Sequence, residues 1–112
     1  MKKILWVSRH ILTDEQLNDL KRIYGKFELE TLDETITNID HILLHDADVY
    51  AVVLPIDLIA ELKNKTNKEV IRPVSERIKI SDEKNTNGET EYKFKHKAWQ
   101  RIVKAEIIVE NL

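Results

Sequence analysis

The chain has 112 residues and a formal net charge of −2 at neutral pH. That length suits one domain and leaves no room for two. The near-neutral balance argues against coating long DNA or RNA, where phosphate neutralisation supplies most of the affinity. With no cysteine, disulfides, thiolate catalysis and Cys-based zinc sites are excluded, and a reducing, cytoplasmic setting is expected.

Met1 to Val7 begins like a signal peptide, but its apolar run stops at Ser8-Arg9-His10. It is too short for an h-region, and no small-residue cleavage site follows. No segment approaches the ~20 apolar residues that span a bilayer, so no membrane partner is expected. Lys3 to Ser8 instead reads as a strand buried on both faces, the pattern of a central parallel strand. Thr13 and Gln16 then stand at the spacing of a capping box. Leu17, Leu20, Ile23 and Tyr24 recur at helical period up to Gly25, the expected stop.

Lys26 to Thr31 alternates like a half-exposed edge strand. Ile36, Ile39, Ile42 and Leu43 outline a second helix ending near His45 or Asp46. Val49 to Leu54 is a second fully apolar strand, closed by Pro55, and Ile56 to Lys65 predicts a third helix. Glu69 to Val74 makes a short fourth strand, with Pro73 marking an edge or the end of pairing. Ser81 to Glu91 has no apolar residue and is expected to be a mobile loop between two alternating segments, 76–80 and 92–97, that pair as a hairpin. For the end of the chain, a strand over 101–109 and a short helix over 99–104 are both compatible with the pattern.

Strands alternating with helices over short connections imply right-handed crossovers and a parallel sheet. The expectation is one α/β domain, three-layered and Rossmann-like, with strand order about 2-1-3-4 and C-terminal antiparallel strands. Residues 1–74 form its βαβ core and 75–112 a hairpin extension. That order reverses beside strand 1, and open α/β sheets bind ligands at the carboxyl ends of strands near such a point.

Ser8-Arg9-His10 ends strand 1 at that place. Serine can donate to a phosphate or ribose oxygen, arginine can hold a phosphate by two parallel hydrogen bonds, and histidine is the residue type suited to moving a proton near neutrality. Thr13 and Gln16, at the mouth of the first helix, and Leu54 and Pro55, across the switch point, complete the candidate ligand set. A plain polar loop is the alternative. The loop lacks a GxGxxG fingerprint, so no dinucleotide cofactor is expected.

His41 and His45 stand four apart, a spacing that can grip a metal, but on the helix face opposite the apolar stripe; a solvated face accounts for them and no metal is expected. Lys93, Lys95 and Lys97 alternate with Tyr92, Phe94 and His96, read as an exposed strand guarded by lysines or as a basic wall with stacking groups. Trp6 and Trp99 read as core or interface and not as base platforms. Arg72, Ser75 and Arg77 flank the end of strand 4, where the two arginines could add cations near the cleft, although a structural role is the favoured reading.

The segment Leu5-Trp6-Val7-Ser8-Arg9-His10, with Leu12-Thr13, Gln16-Leu17 and later Val53-Leu54-Pro55, resembles the small stand-alone ring nucleases and related CARF-like proteins of type III CRISPR systems. The likeness runs through about the first two thirds of the chain, and Val-Ser-Arg-His is its distinctive part. It implies a cyclic oligoadenylate ligand, cyclic tetra-adenylate first, opened without a metal by attack of a ribose 2′-oxygen on the adjacent phosphorus. It further implies that Arg9, Ser8 and His10 steady the phosphate and move protons, in a homodimer that matches the two-fold symmetry of the ring. Two alternatives stand beside it: a sensor or sponge that holds the ring intact, and a phage or mobile-element module whose basic hairpin contacts a partner.

Overall fold

The computed structural model describes residues 1–84, 90–104 and 110–111, with side chains described outside 80–92. Five strands form one sheet in the order β2-β1-β3-β4-β5: β1 (Lys2–Val7), β2 (Phe27–Leu32), β3 (Val49–Val52), β4 (Glu69–Lys84) and β5 (Thr90–Arg101). The first four are parallel, and β5 runs antiparallel to β4. The α/β class and the 2-1-3-4 order stand as expected. Helices α1 (Asp14–Tyr24), α2 (Asp40–Leu43) and α3 (Ile56–Lys65) connect the parallel strands. No helix among the described residues is long and apolar enough to cross a membrane.

Strand alternation divides the core. Leu5 and Val7 of β1, with Tyr50 and Val52 of β3, face a cluster that includes Ile36, Ile39, Ile42, Ile59 and Leu62. Ile4 and Trp6, with Val49 and Ala51, face Leu12, Leu20 and Ile71, with Leu17, Tyr24 and Trp99 packed alongside. Thus α1 covers one face and α3 the other. Each large aliphatic residue that is fully buried there, such as Leu20 or Leu62, contributes about 1.5–3 kcal/mol by leaving water. From Ile4 to Val7 and from Val49 to Val52 the two central strands are apolar and buried, because neither face meets solvent there.

Helix α1 starts with the full capping box: Gln16 N donates to Thr13 Oγ1 at 3.2 Å, and Thr13 N donates to Gln16 Oε1 at 2.9 Å. It stops at Gly25, whose φ of 72° suits a residue without a Cβ.

Three expectations need correction. The second helix is a single turn, Asp40–Leu43. Ile36 and Ile39 are buried but lie in irregular chain, where Asn38 Oδ1 takes the Asp40 N–H at 2.9 Å and so favours a turn over a continuing helix. The fourth strand does not end at Val74. Its pairing with β3 ends at Ile71, two residues before Pro73, whereas its ladder with β5 continues to Lys84. Polar residues 81–84 and 90–91 therefore belong to strands, because a ladder needs only backbone groups; the rest of the expected loop, 85–89, lies outside the described residues. The helix over 99–104 is replaced by strand, since Trp99, Gln100 and Arg101 pair with Pro73, Arg72 and Ile71. Of the alternative strand over 101–109, Arg101 ends β5, residues 102–104 have no regular structure, and 105–109 lie outside the described residues.

Candidate functional site

The ladder holds β1 to its very end. Val53 N donates to Val7 O at 3.1 Å on one side, and Ser8 N donates to Leu32 O at 3.3 Å on the other. β2 ends at Leu32 and β3 at Val52, and beyond Ser8 the chain leaves the sheet. Ser8 is 5% exposed, and its Oγ accepts the His10 N–H at 3.0 Å. From the opposite side Trp6 Nε1 donates to the His10 carbonyl at 2.8 Å. These two bonds pin the backbone of a three-residue turn while leaving Arg9 and His10 exposed. Among the described residues the Arg9 guanidinium has no hydrogen bond or ion pair.

The turn separates two clefts. One, of about 170 Å³, opens on the α1 face, between Trp6, Leu12 and Leu17 on one side and Thr31 and Asp33 on the other. The second, of about 300 Å³, opens on the α3 face between Glu34, Thr35 and Ile36 and the segment Val53-Leu54-Pro55. Ser8, Arg9 and His10 line both. The expected meeting of Ser8, Arg9 and His10 with Leu54 and Pro55 across the switch point is therefore present. Thr13 and Gln16 line neither cleft, and each gives its side chain to the other in the α1 cap. They act on the site only by fixing where the helix starts. That first turn also carries Asp14 and Glu15, so its positive dipole end already has carboxylates beside it.

Two acidic residues that sequence reading passed over belong to the clefts: Asp33 in the smaller and Glu34 in the larger. They follow β2 directly, so the expected strand order already carried them to this edge. Glu34 Oε1 lies 2.6 Å from His41 Nδ1, and His45 Nδ1 lies 3.0 Å from Glu30 Oε1. Each histidine thus has its own carboxylate instead of sharing a ligand set. Among the described residues no group of three or more His, Cys, Asp or Glu is arranged to hold a metal.

A larger hollow, about 750 Å³, lies between α3 and the ends of β4 and β5, with Asp57, Arg72 and Arg101 in its wall. Its two guanidiniums are engaged, Arg72 Nε with Gln100 Oε1 at 3.1 Å and Arg101 Nε with Glu69 Oε1 at 2.7 Å. Arg9 differs from both in having no hydrogen bond or ion pair among the described residues. Arg72 thus lines a separate hollow, and Ser75 and Arg77 lie out on the hairpin, so none of the three joins the site.

On the hairpin the alternation is broken by a bulge between Val74 and Ser75, which leaves Lys97 out of register. Lys93 and Lys95 are exposed, and Phe94 is 76% exposed. His96 turns inward, with Nε2 2.8 Å from Asp19 Oδ2 of α1. That contact is the first cause holding the Asp19 carboxyl below the usual carboxylate range, assisted by Arg22 and opposed by burial. No family model, curated protein or solved structure matches the chain.

Proposed function

We propose that this chain is a Rossmann-like, cytoplasmic protein that binds cyclic oligoadenylate, cyclic tetra-adenylate first, at the end of β1 and opens the ring. The observation that carries the reading is the unpartnered Arg9 guanidinium, held by a pinned turn at the sheet's carboxyl edge between two clefts. An exposed guanidinium with no hydrogen bond or ion pair among the described residues, beside a concave surface, suits an anionic group of a small ligand. The resemblance of Val7-Ser8-Arg9-His10 to ring nucleases names that ligand.

In this reading Arg9 steadies the phosphate oxygens and the Ser8 hydroxyl donates to the phosphate. The ribose 2′-oxygen forms a bond to phosphorus as the bond to the 5′-oxygen breaks, leaving a linear product with a 2′,3′-cyclic phosphate. His10 is the proton-transfer group. The protein's work is alignment and charge stabilisation. Two copies related by a two-fold axis present one Ser8-Arg9-His10 set to each half of the ring.

Incubation with labelled cyclic tetra-adenylate in EDTA tests it. A linear product ending in a 2′,3′-cyclic phosphate supports the ring nuclease. Intact ring retained by the protein supports the sensor or sponge. A chain that neither binds nor cuts the ring refutes both. Exposed Phe94 between Lys93 and Lys95 favours the interaction module as a second reading, since aromatic and basic groups are common anchors at interfaces. Loss of a captured partner on replacing the three lysines tests that one.

A further inference from the structure

Glu34 is the acidic group of the larger cleft, and the reading above leaves it unused. It stands two residues past the end of β2 and shares the cleft with Ser8, Arg9, His10 and Pro55. Its side chain is 39% exposed, yet Oε1 is buried without a hydrogen-bond partner, at 2.6 Å from His41 Nδ1. The His41 contact is an ion-pair approach and not a hydrogen bond, so the carboxylate keeps acceptor capacity for a molecule in the cleft.

We propose that Glu34 is the ribose-binding and proton-accepting group of this cleft, taking the hydrogen of a 2′-hydroxyl, and that His41 is its positioning residue. The inference rests on the nucleotide reading of the site. An ionised carboxylate only accepts hydrogen bonds, so beside a phosphodiester its partner is a hydroxyl and not the phosphate. In dinucleotide-binding α/β sheets, whose Gly-rich turn this chain lacks, an acid about 20 residues past that turn takes a ribose 2′-hydroxyl in the same manner.

The same contact serves the chemistry. The 2′-hydroxyl proton passes to the Glu34 carboxylate, and the freed lone pair forms the bond to phosphorus. The electrons of the breaking bond leave with the 5′-oxygen, which takes a proton from the His10 imidazolium. Products are a 2′,3′-cyclic phosphate and a 5′-hydroxyl, and exchange with water returns both side chains to their starting states. Glu34 thus supplies the base to which His10 is the acid. His41 stands behind the carboxylate and acts through it.

The test compares wild type, Glu34→Gln, Glu34→Asp and His41→Ala with two probes, cyclic tetra-adenylate and its all-2′-deoxy analogue. Wild type is expected to bind the ribose ring about tenfold more tightly than the deoxy ring, and Glu34→Gln to lose that preference while binding the deoxy ring normally. In single-turnover opening, Glu34→Gln is expected to slow the step by about 100-fold or more, with Glu34→Asp recovering part of the rate. His41→Ala is expected to lower kcat severalfold, with KM unchanged. An unchanged ribose preference and rate in Glu34→Gln overturns the proposal. If wild type binds neither ring, the nucleotide reading fails and this inference falls with it.

Discussion

Trp6 and Trp99 meet edge to face, with ring centroids 5.8 Å apart and planes at 82°. One lies on the buried first strand and the other on the last. The Trp99 indole also donates to the Gln16 carbonyl at 3.2 Å, so a single side chain ties β5 to α1 and to the strand that ends in the candidate site.

Trp99→Ala is therefore expected to cost about 2–4 kcal/mol, below or within the range for a large aromatic truncated to alanine because Trp99 is only partly buried. Trp99→Phe keeps much of the apolar contact but loses the hydrogen bond, and should cost less. Urea unfolding measures both. A loss under about 0.5 kcal/mol for the alanine variant refutes this anchoring role.

The Asp19–His96 contact predicts a pH dependence. Because the folded Asp19 carboxyl sits below its ordinary value, its ionised form favours the native state. That stability is present above the unfolded carboxylate value of about 4 and is lost as pH falls through the lower folded value. Asp19→Asn should be destabilising at pH 7, with a smaller difference from wild type at about pH 3. Unfolding curves at the two pH values compare them, and an equal difference at both contradicts the assignment.

Thr13→Ala removes the side-chain half of the capping box and should cost about 1 kcal/mol. Since Thr13 lines neither cleft, ring affinity is expected to stay within about twofold at a temperature where both proteins are folded. Calorimetric titration alongside thermal unfolding separates the two effects; a large loss of affinity in a folded variant returns Thr13 to the ligand set.

Arg9→Ala should have the opposite profile. An exposed guanidinium with no partner contributes little to folding, so stability is expected to change by less than about 0.5 kcal/mol. Affinity for cyclic tetra-adenylate is expected to fall by about 1.5–3 kcal/mol, the scale of a hydrogen bond to a charged group. Unchanged affinity in the folded variant removes Arg9 from the site.

The parallel core was legible in the residues because its signals are local. Two uninterrupted apolar runs marked the strands buried on both faces, and Thr13-Gln16 and Gly25 marked the ends of α1. The strand order followed from which runs were apolar throughout. The single-turn α2 differs from the expected helix because Ile36 and Ile39 fill the core beside Ile42 equally well from irregular chain. Apolar spacing reports which residues are buried and is silent on the backbone that delivers them. The length of β4 and β5 was missed for a related reason. Their outer pairs are held by backbone hydrogen bonds, which polar side chains do not advertise.

For the site, the residue order alone established that Ser8, Arg9 and His10 stand where a central strand ends, since a buried apolar strand must break into polar residues at the sheet's edge. Only the folded chain decided what each group is free to do. Thr13 and Gln16 close on each other, Ser8 Oγ braces the turn, and Arg9 is left unpaired. Glu34 and His41 are brought together at the cleft by the turn between β2 and α2. Spacing along a chain can place a residue at an edge. Which hydrogen bonds are already satisfied there depends on partners that tertiary packing brings within a few ångströms.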